Sequence, residues 1–108
     1  MVLTYTDLIR AIRDAGLPCT YSYFVKPPPL PYTVIQYAYG SDFIADNQNY
    51  TEVGNYQLEL YHVAKDPLTE KLIENKLREL RLPFRKSEMF LDTEDLYQIV
   101  YEIQLIGG

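Results

Sequence analysis

The residues equipped for chemistry are few: one histidine, His62, one cysteine, Cys19, and a spread of carboxylates that includes Asp42 and Asp46. A cysteine becomes a nucleophile when a nearby base takes its proton and a third group orients that base. Cys19, His62 and Asp46 can be written as such a set, but no local motif around any of them supports it. Asp42, Asp46, Asn47 and Asn49 offer oxygen donors to a hard cation. They lack the alternate ligand spacing, central glycine and closing glutamate of a calcium-binding loop, and Asp and Asn side chains making local turns account for the same residues. Gly40 and Gly54 stand alone, so no glycine-rich loop offers its amides to a phosphate. These residues imply no enzyme, no cofactor and no metal centre. What is left is recognition through a surface, whose character depends on the elements that build it.

A chain of 108 residues with 47% hydrophobic and 23% charged content is expected to fold as a single domain, 1–108, with a core of its own. Its net charge of −5 repels phosphate backbones and anionic lipid, so neither sequence-specific nucleic-acid binding nor a membrane partner is expected. In the densest basic stretch, Arg78, Arg81, Arg85 and Lys86, the first two lie at the end of a helix and complement its dipole. A lone cysteine forms no intramolecular disulfide. No export signal and no long apolar run is visible, so the chain is expected in the cytoplasm until it is built into something.

Helical spacing of Leu8, Ile9, Ile12 and Ala15 predicts a first helix, capped by Thr6 and ended at Gly16. Strand propensity follows over Thr20–Val25. Pro27, Pro28, Pro29 and Pro31 then favour polyproline II and read as a stiffener of a hairpin-like return into a second strand, Tyr32–Tyr39, expected near the sheet centre. A third strand, Asn55–Val63, places Tyr56, Leu58, Leu60 and His62 on one face. Asp66-Pro67 opens a second helix whose buried stripe is predicted as Leu68, Leu72, Ile73, Leu77 and Leu80. Phe84–Phe90 and Leu96–Leu105 are the last strands, joined by the acidic turn Asp92–Asp95. The order α-β-β-β-α-β-β predicts an α+β fold: an antiparallel or mixed sheet of about five strands with two helices on one face.

The other face has no predicted helix over it. Eleven tyrosines and no tryptophan suit a surface that meets another subunit, because a tyrosine ring gives contact area while its hydroxyl stays wet; tyrosine is equally an ordinary strand former. Gly40 to Gly54 reads as a long polar excursion pinned by Phe43, Ile44 and Tyr50, and loops of that length commonly carry function.

Pro31-Tyr32 leading into a strand, Ala45-Asp46-Asn47, Tyr50, Leu60-Tyr61, Lys65-Asp66-Pro67 and the Glu-rich helix form a pattern that resembles the small tail-completion proteins of siphophages infecting Gram-positive bacteria. The resemblance runs from the first helix through Tyr97 and Tyr101 and is densest from Pro31 to Leu77. It implies a virion structural protein, a tail terminator or head-tail joining component assembled in the host cytoplasm. Such proteins form rings, commonly hexamers, at the head-proximal end of the tail tube. The implied partners are other copies of the chain, the tail tube protein and the head-tail connector proteins, and the resemblance carries over no catalytic residue. A head-completion or connector adaptor of the neck, and a small non-viral cytoplasmic binding or regulatory module, are the alternatives. The expected contact between subunits falls on Phe43, Ile44, Asp46, Asn47 and Tyr50, with Tyr37 and Tyr39 as a second apolar patch.

Overall fold

The computed structural model describes residues 3–45 and 48–107, and of 43–45 and 48–51 the backbone alone. Helix α1 (Tyr5–Asp14) starts two residues earlier than a cap at Thr6 would allow. Thr4 is the cap: its hydroxyl accepts the Asp7 N–H at 3.3 Å, and the Asp7 carboxylate accepts the Thr4 N–H at 3.0 Å. That reciprocal pair satisfies two orphan donors at once, which Thr6 has no acidic partner to do. At the other end Gly16, at φ +100°, closes the helix, with Leu17 N–H donating to the Ile12 carbonyl.

Strand β1 (Cys19–Tyr21) is short and runs parallel to β2 (Tyr32–Gly40), in the register Cys19↔Thr33 to Tyr21↔Ile35. The proline-rich stretch is therefore a crossover, not the hairpin-like return its composition suggests. The Pro18 carbonyl accepts both the N–H of Thr33 (2.8 Å) and its hydroxyl (2.7 Å), which pins the two strand starts side by side. Strand β1 stops because Ser22 turns to φ +65°.

Beyond Gly40 the chain keeps pairing with itself. Strands β3 (Phe43–Ala45) and β4 (Gln48–Thr51) form a two-stranded ladder that carries the pairing of β2 with β5 (Val53–His62) outward. The expected polar loop is a hairpin arm. Helix α2 (Pro67–Glu79), β6 (Phe84–Leu91) and β7 (Leu96–Ile106) complete the chain, and the main sheet has the order β1-β2-β5-β7-β6. The fold is α+β: two helices on one face of a five-stranded mixed sheet, antiparallel except at β1. Strand β5, rather than β2, holds the centre.

The core lies between helices and sheet, with Leu8, Ile12, Ile73 and Leu77 set against Ile35, Leu58, Leu60, Ile99, Tyr101 and Ile103. Alternation in β5 and β7 gives the expected inward sets, Leu58 opposite Tyr101 and Leu60 opposite Ile99. The α2 stripe differs from its prediction. Thr69, Glu70, Ile73 and Leu77 are buried, whereas Leu68 is 80% and Leu72 47% exposed. Asp66 caps the helix by accepting the Thr69 N–H at 3.2 Å, and a helix that turns Ile73 and Leu77 inward carries Leu68 and Leu72 to its flank.

Helix α2 ends as α1 does, with Leu82 N–H donating to the Leu77 carbonyl at 2.9 Å and Arg81 N–H to the Arg78 carbonyl at 3.0 Å. Here, however, the left-handed position is held by Arg81, at φ +57°, and not by glycine. A side chain in that conformation costs roughly 1 kcal/mol. Arg81→Gly is therefore expected to raise unfolding free energy by about that amount, measured by urea titration at neutral pH.

Candidate functional site

Two structures meet where the arm leaves the sheet: a cluster of tyrosines and a junction of side-chain hydrogen bonds. On the helix face Tyr5 of α1 lies 4.9 Å from Tyr21 and 6.3 Å from Tyr56 between ring centroids, and Tyr37 stands edge-on to Tyr56 at 5.4 Å. Glycines make room for them. A Cβ on Gly54 would come within 2.8 Å of the Tyr56 ring, and one on Gly40 within 2.9 Å of the Tyr37 hydroxyl.

The junction itself uses Asp42, whose carboxylate accepts the Val53 N–H at 3.0 Å, and Asn55, whose amide donates to the Tyr39 carbonyl at 3.1 Å and the Ser41 hydroxyl at 2.8 Å. Gln104 of β7 donates in turn to Asn55 at 3.0 Å. Three strands are thus tied together at the point of departure. The arm leaves in a set direction because these side-chain bonds reinforce the ladder where the main sheet gives out.

Of the residues expected to form the contact, Phe43 and Ile44 belong to β3 and Tyr50 to β4, where it is the extra residue of a bulge between the Phe43↔Thr51 and Ile44↔Asn49 pairs. Their side chains, and Asp46 and Asn47 altogether, lie outside the described residues. Tyr37 and Tyr39 do not form one patch. A bulge between them shifts the pairing from Tyr37↔Tyr56 to Tyr39↔Asn55, so Tyr37 joins the tyrosines of the helix face and Tyr39 turns to the open face.

The open face carries a polar ladder in place of a second core. Gln36 donates to the Glu59 carboxylate at 3.2 Å, Tyr61 donates to the same oxygen at 2.8 Å, and Gln98 donates to the Tyr61 hydroxyl at 2.9 Å. Burial and the Glu59 carboxylate together push the Tyr61 phenol up to about 12. At its proline-rich edge this face is capped by Phe24, edge-on to Tyr32 at 5.3 Å.

A second polar cluster holds β6 to α2. Glu70, only 3% exposed, accepts from Lys65 at 2.7 Å and from Lys86 at 2.7 Å, and Lys86 also meets Glu74 at 2.8 Å. Lys65 reaches Glu88 of β6 as well, and Tyr101 donates to Glu74 at 2.9 Å. His62 closes the cluster: it is buried, stacked on Tyr97 at 5.7 Å, with Nε2 3.4 Å from Glu70. It sits at the end of a strand, as the sequence suggests. Strand β2 separates it from Cys19 on β1, whose thiol is pushed up by burial, so the structure does not bring a nucleophile and a base together. No group of three His, Cys, Asp or Glu side chains is placed to hold a metal ion among the described residues.

The third feature is a groove of about 1090 Å³ at the end of the sheet, walled by Leu80, Leu82 and Phe84 on one side and by Tyr39, Leu105 and Ile106 on the other. Arg81 and Arg85 line it as well. It exists because β7 runs past the start of β6: Phe84 pairs with Ile103, and Gln104 to Ile106 continue alone on that side.

With this geometry in view, comparison with known proteins adds no relative: no family model matches the chain, and no curated protein matches it. Sequence reasoning missed the groove, the Asn55 junction and the Glu70 cluster. The Glu70 cluster had a signal, a glutamate at an inward position of α2; the other two depend on where strands end relative to one another.

Burial alone would push the Glu70 carboxyl up, but hydrogen bonds from Lys65 and Lys86 overcome it and hold it below its ordinary 4.5; Glu74 is lowered by the same balance, with Lys86 and Tyr101 as donors. A carboxylate lowered in the folded state contributes stability above its unfolded value, and that contribution is lost as pH falls through the folded one. Stability is expected to drop below about pH 4.5 in urea titrations across pH 2–7. Glu70→Gln is expected to cost about 2 kcal/mol at pH 7 and to flatten that acid limb, the cost being moderated because both lysines reach solvent.

Proposed function

We propose that this chain is a structural protein of a bacteriophage or prophage virion that works at the head-tail interface. It acts as a tail terminator or tail-completion protein, forming a ring that caps the tail tube and docks the capsid connector. The observation that carries the reading is the arm. A two-stranded projection leaves a rigid α+β body at a junction fixed by three strands, and that is how one subunit reaches another when a ring closes by rotation. The sequence pattern from Pro31 to Leu77 supplies the family, and the helix-free polar face supplies a second surface broad enough for a different partner.

Capping follows from the geometry of such a ring. One rim repeats the contact made by the tube and the other does not, so polymerisation stops where the ring binds. An acidic chain suits a lumen through which DNA must pass without sticking, since cationic surfaces are what bind a phosphate backbone.

The test is assembly with defined partners. Mixed with purified tail tube protein, the chain should halt tubes at a capped end visible by negative-stain imaging. Binding to connector rings but not to tubes would make it a neck adaptor, and binding to neither would overturn the virion reading in favour of a regulator. Replacing residues 43–51 by Asn-Gly, a favoured two-residue hairpin turn, should leave a folded body with a melting temperature near that of the parent while abolishing ring formation and capping.

A further inference from the structure

We propose that the groove at the end of β7 receives the arm of a second copy of this chain, whose strand β3 adds to the free edge of Gln104, Leu105 and Ile106. The inference rests on the reading of the chain as self-assembling and names the surface that receives the arm, which that reading leaves open.

Sheet edges are where a second strand can pair, and the other edges of the main sheet are each blunted. Strand β1 offers three residues before Ser22 turns away. Past it, the edge of β2 is broken by the bulge between Tyr37 and Tyr39. The outer edge of β6 carries Arg85, Lys86 and Glu88, and its uncharged end, Met89 to Leu91, runs into the acidic turn Asp92–Asp95, which repels an acidic strand. Gln104 to Ile106 carry no charge, no proline and no bulge, and their register with β5 is regular, Gly54↔Leu105 and Val53↔Ile106. Their inner side is fully used, down to the Gly107 N–H donating to the Glu52 carbonyl at 2.7 Å. Their outer side opens into the groove.

Length and charge identify the occupant. Strand β3 has three residues and no bulge of its own, matching the three that β7 leaves over; the bulge of the arm is on β4. Residues 41–53 contain Asp42, Asp46 and Glu52 and no lysine or arginine. The groove supplies the opposite sign. Arg81 lines it and forms no ion pair among the described residues, whereas Glu79 is matched to Lys76 at 2.8 Å and Arg85 and Glu102 face each other across the strands. Apolar walls from Leu80, Leu82 and Ile106 would bury the outer face of the incoming strand, with Ile106 now 56% exposed. Arm and groove are different surfaces, so the contact is head-to-tail, the kind that makes rings.

The experiment is a charge exchange read by sedimentation velocity on the isolated full chain at low salt. Glu52→Arg and Arg81→Glu should each weaken self-association by about tenfold or more, and the two together in one chain should restore most of it. Arg81→Gly should weaken association while raising thermal stability, a combination that misfolding cannot imitate. A parent chain that stays monomeric at its solubility limit, single variants that associate like the parent, or a double variant without recovery would overturn the contact. Tube capping that persists without this coupling would remove the contact and spare the virion reading; coupling without capping would do the reverse.

Discussion

Antiparallel pairing of β2 with β5 is the constraint on which the rest of this structure depends. It runs from Tyr32↔Tyr61 to Gly40↔Gly54 and continues beyond the sheet into the arm. Because side chains alternate along a strand, this one register decides that Thr33 and Ile35 meet Leu60 and Leu58 in the core while Val34 and Gln36 meet Glu59 and Gln57 on the open face. A slip of one residue would exchange the two sets and leave the helices nothing to pack on. The single bulge after Tyr37 uses the same rule locally. It keeps one tyrosine in the cluster below the arm and hands the next to the opposite face, without disturbing the core register behind it.

The arm's direction is a property of the junction more than of the arm. Asp42 accepts the Val53 N–H, and Ser41, Asn55 and Gln104 add side-chain bonds to the backbone ladder, where β2, β5 and β7 run out together. Four tyrosine rings brace the helix side of the same point, over two glycines that leave space for them. A projection held by packed rings and paired amides keeps its angle to the sheet.

At the other flank a buried charge does a related job. Glu70 sits at an inward position of α2 where an apolar residue would pack as well, and its charge is tolerated because Lys65 and Lys86 reach it from a loop and from β6. The cluster ties the outermost strand of the sheet to the helix. The stretch from Arg78 to Arg85 shows the opposite balance: Arg81 holds a left-handed turn that glycine would hold at lower energy, and its guanidinium then stands in the groove without an internal partner among the described residues.

Local sequence decided element type and phase wherever the signal lay within one turn or one strand. Asp66-Pro67 places the start of α2, the alternation of Tyr97, Ile99, Tyr101, Ile103 and Leu105 gives the buried face of β7, and the α-β-β-β-α-β-β order gives the fold class. Tertiary structure decided what each element pairs with. It made the proline-rich segment a parallel crossover, turned the polar excursion into a hairpin, chose Thr4 over Thr6 as the cap and moved Leu68 and Leu72 out of the core. It also separated Tyr37 from Tyr39 and opened the groove beside Ile106. The physical reason is range: propensity, capping and periodicity act between near neighbours in the chain, whereas strand partners, bulges and unpaired edges are fixed by residues that meet only after folding.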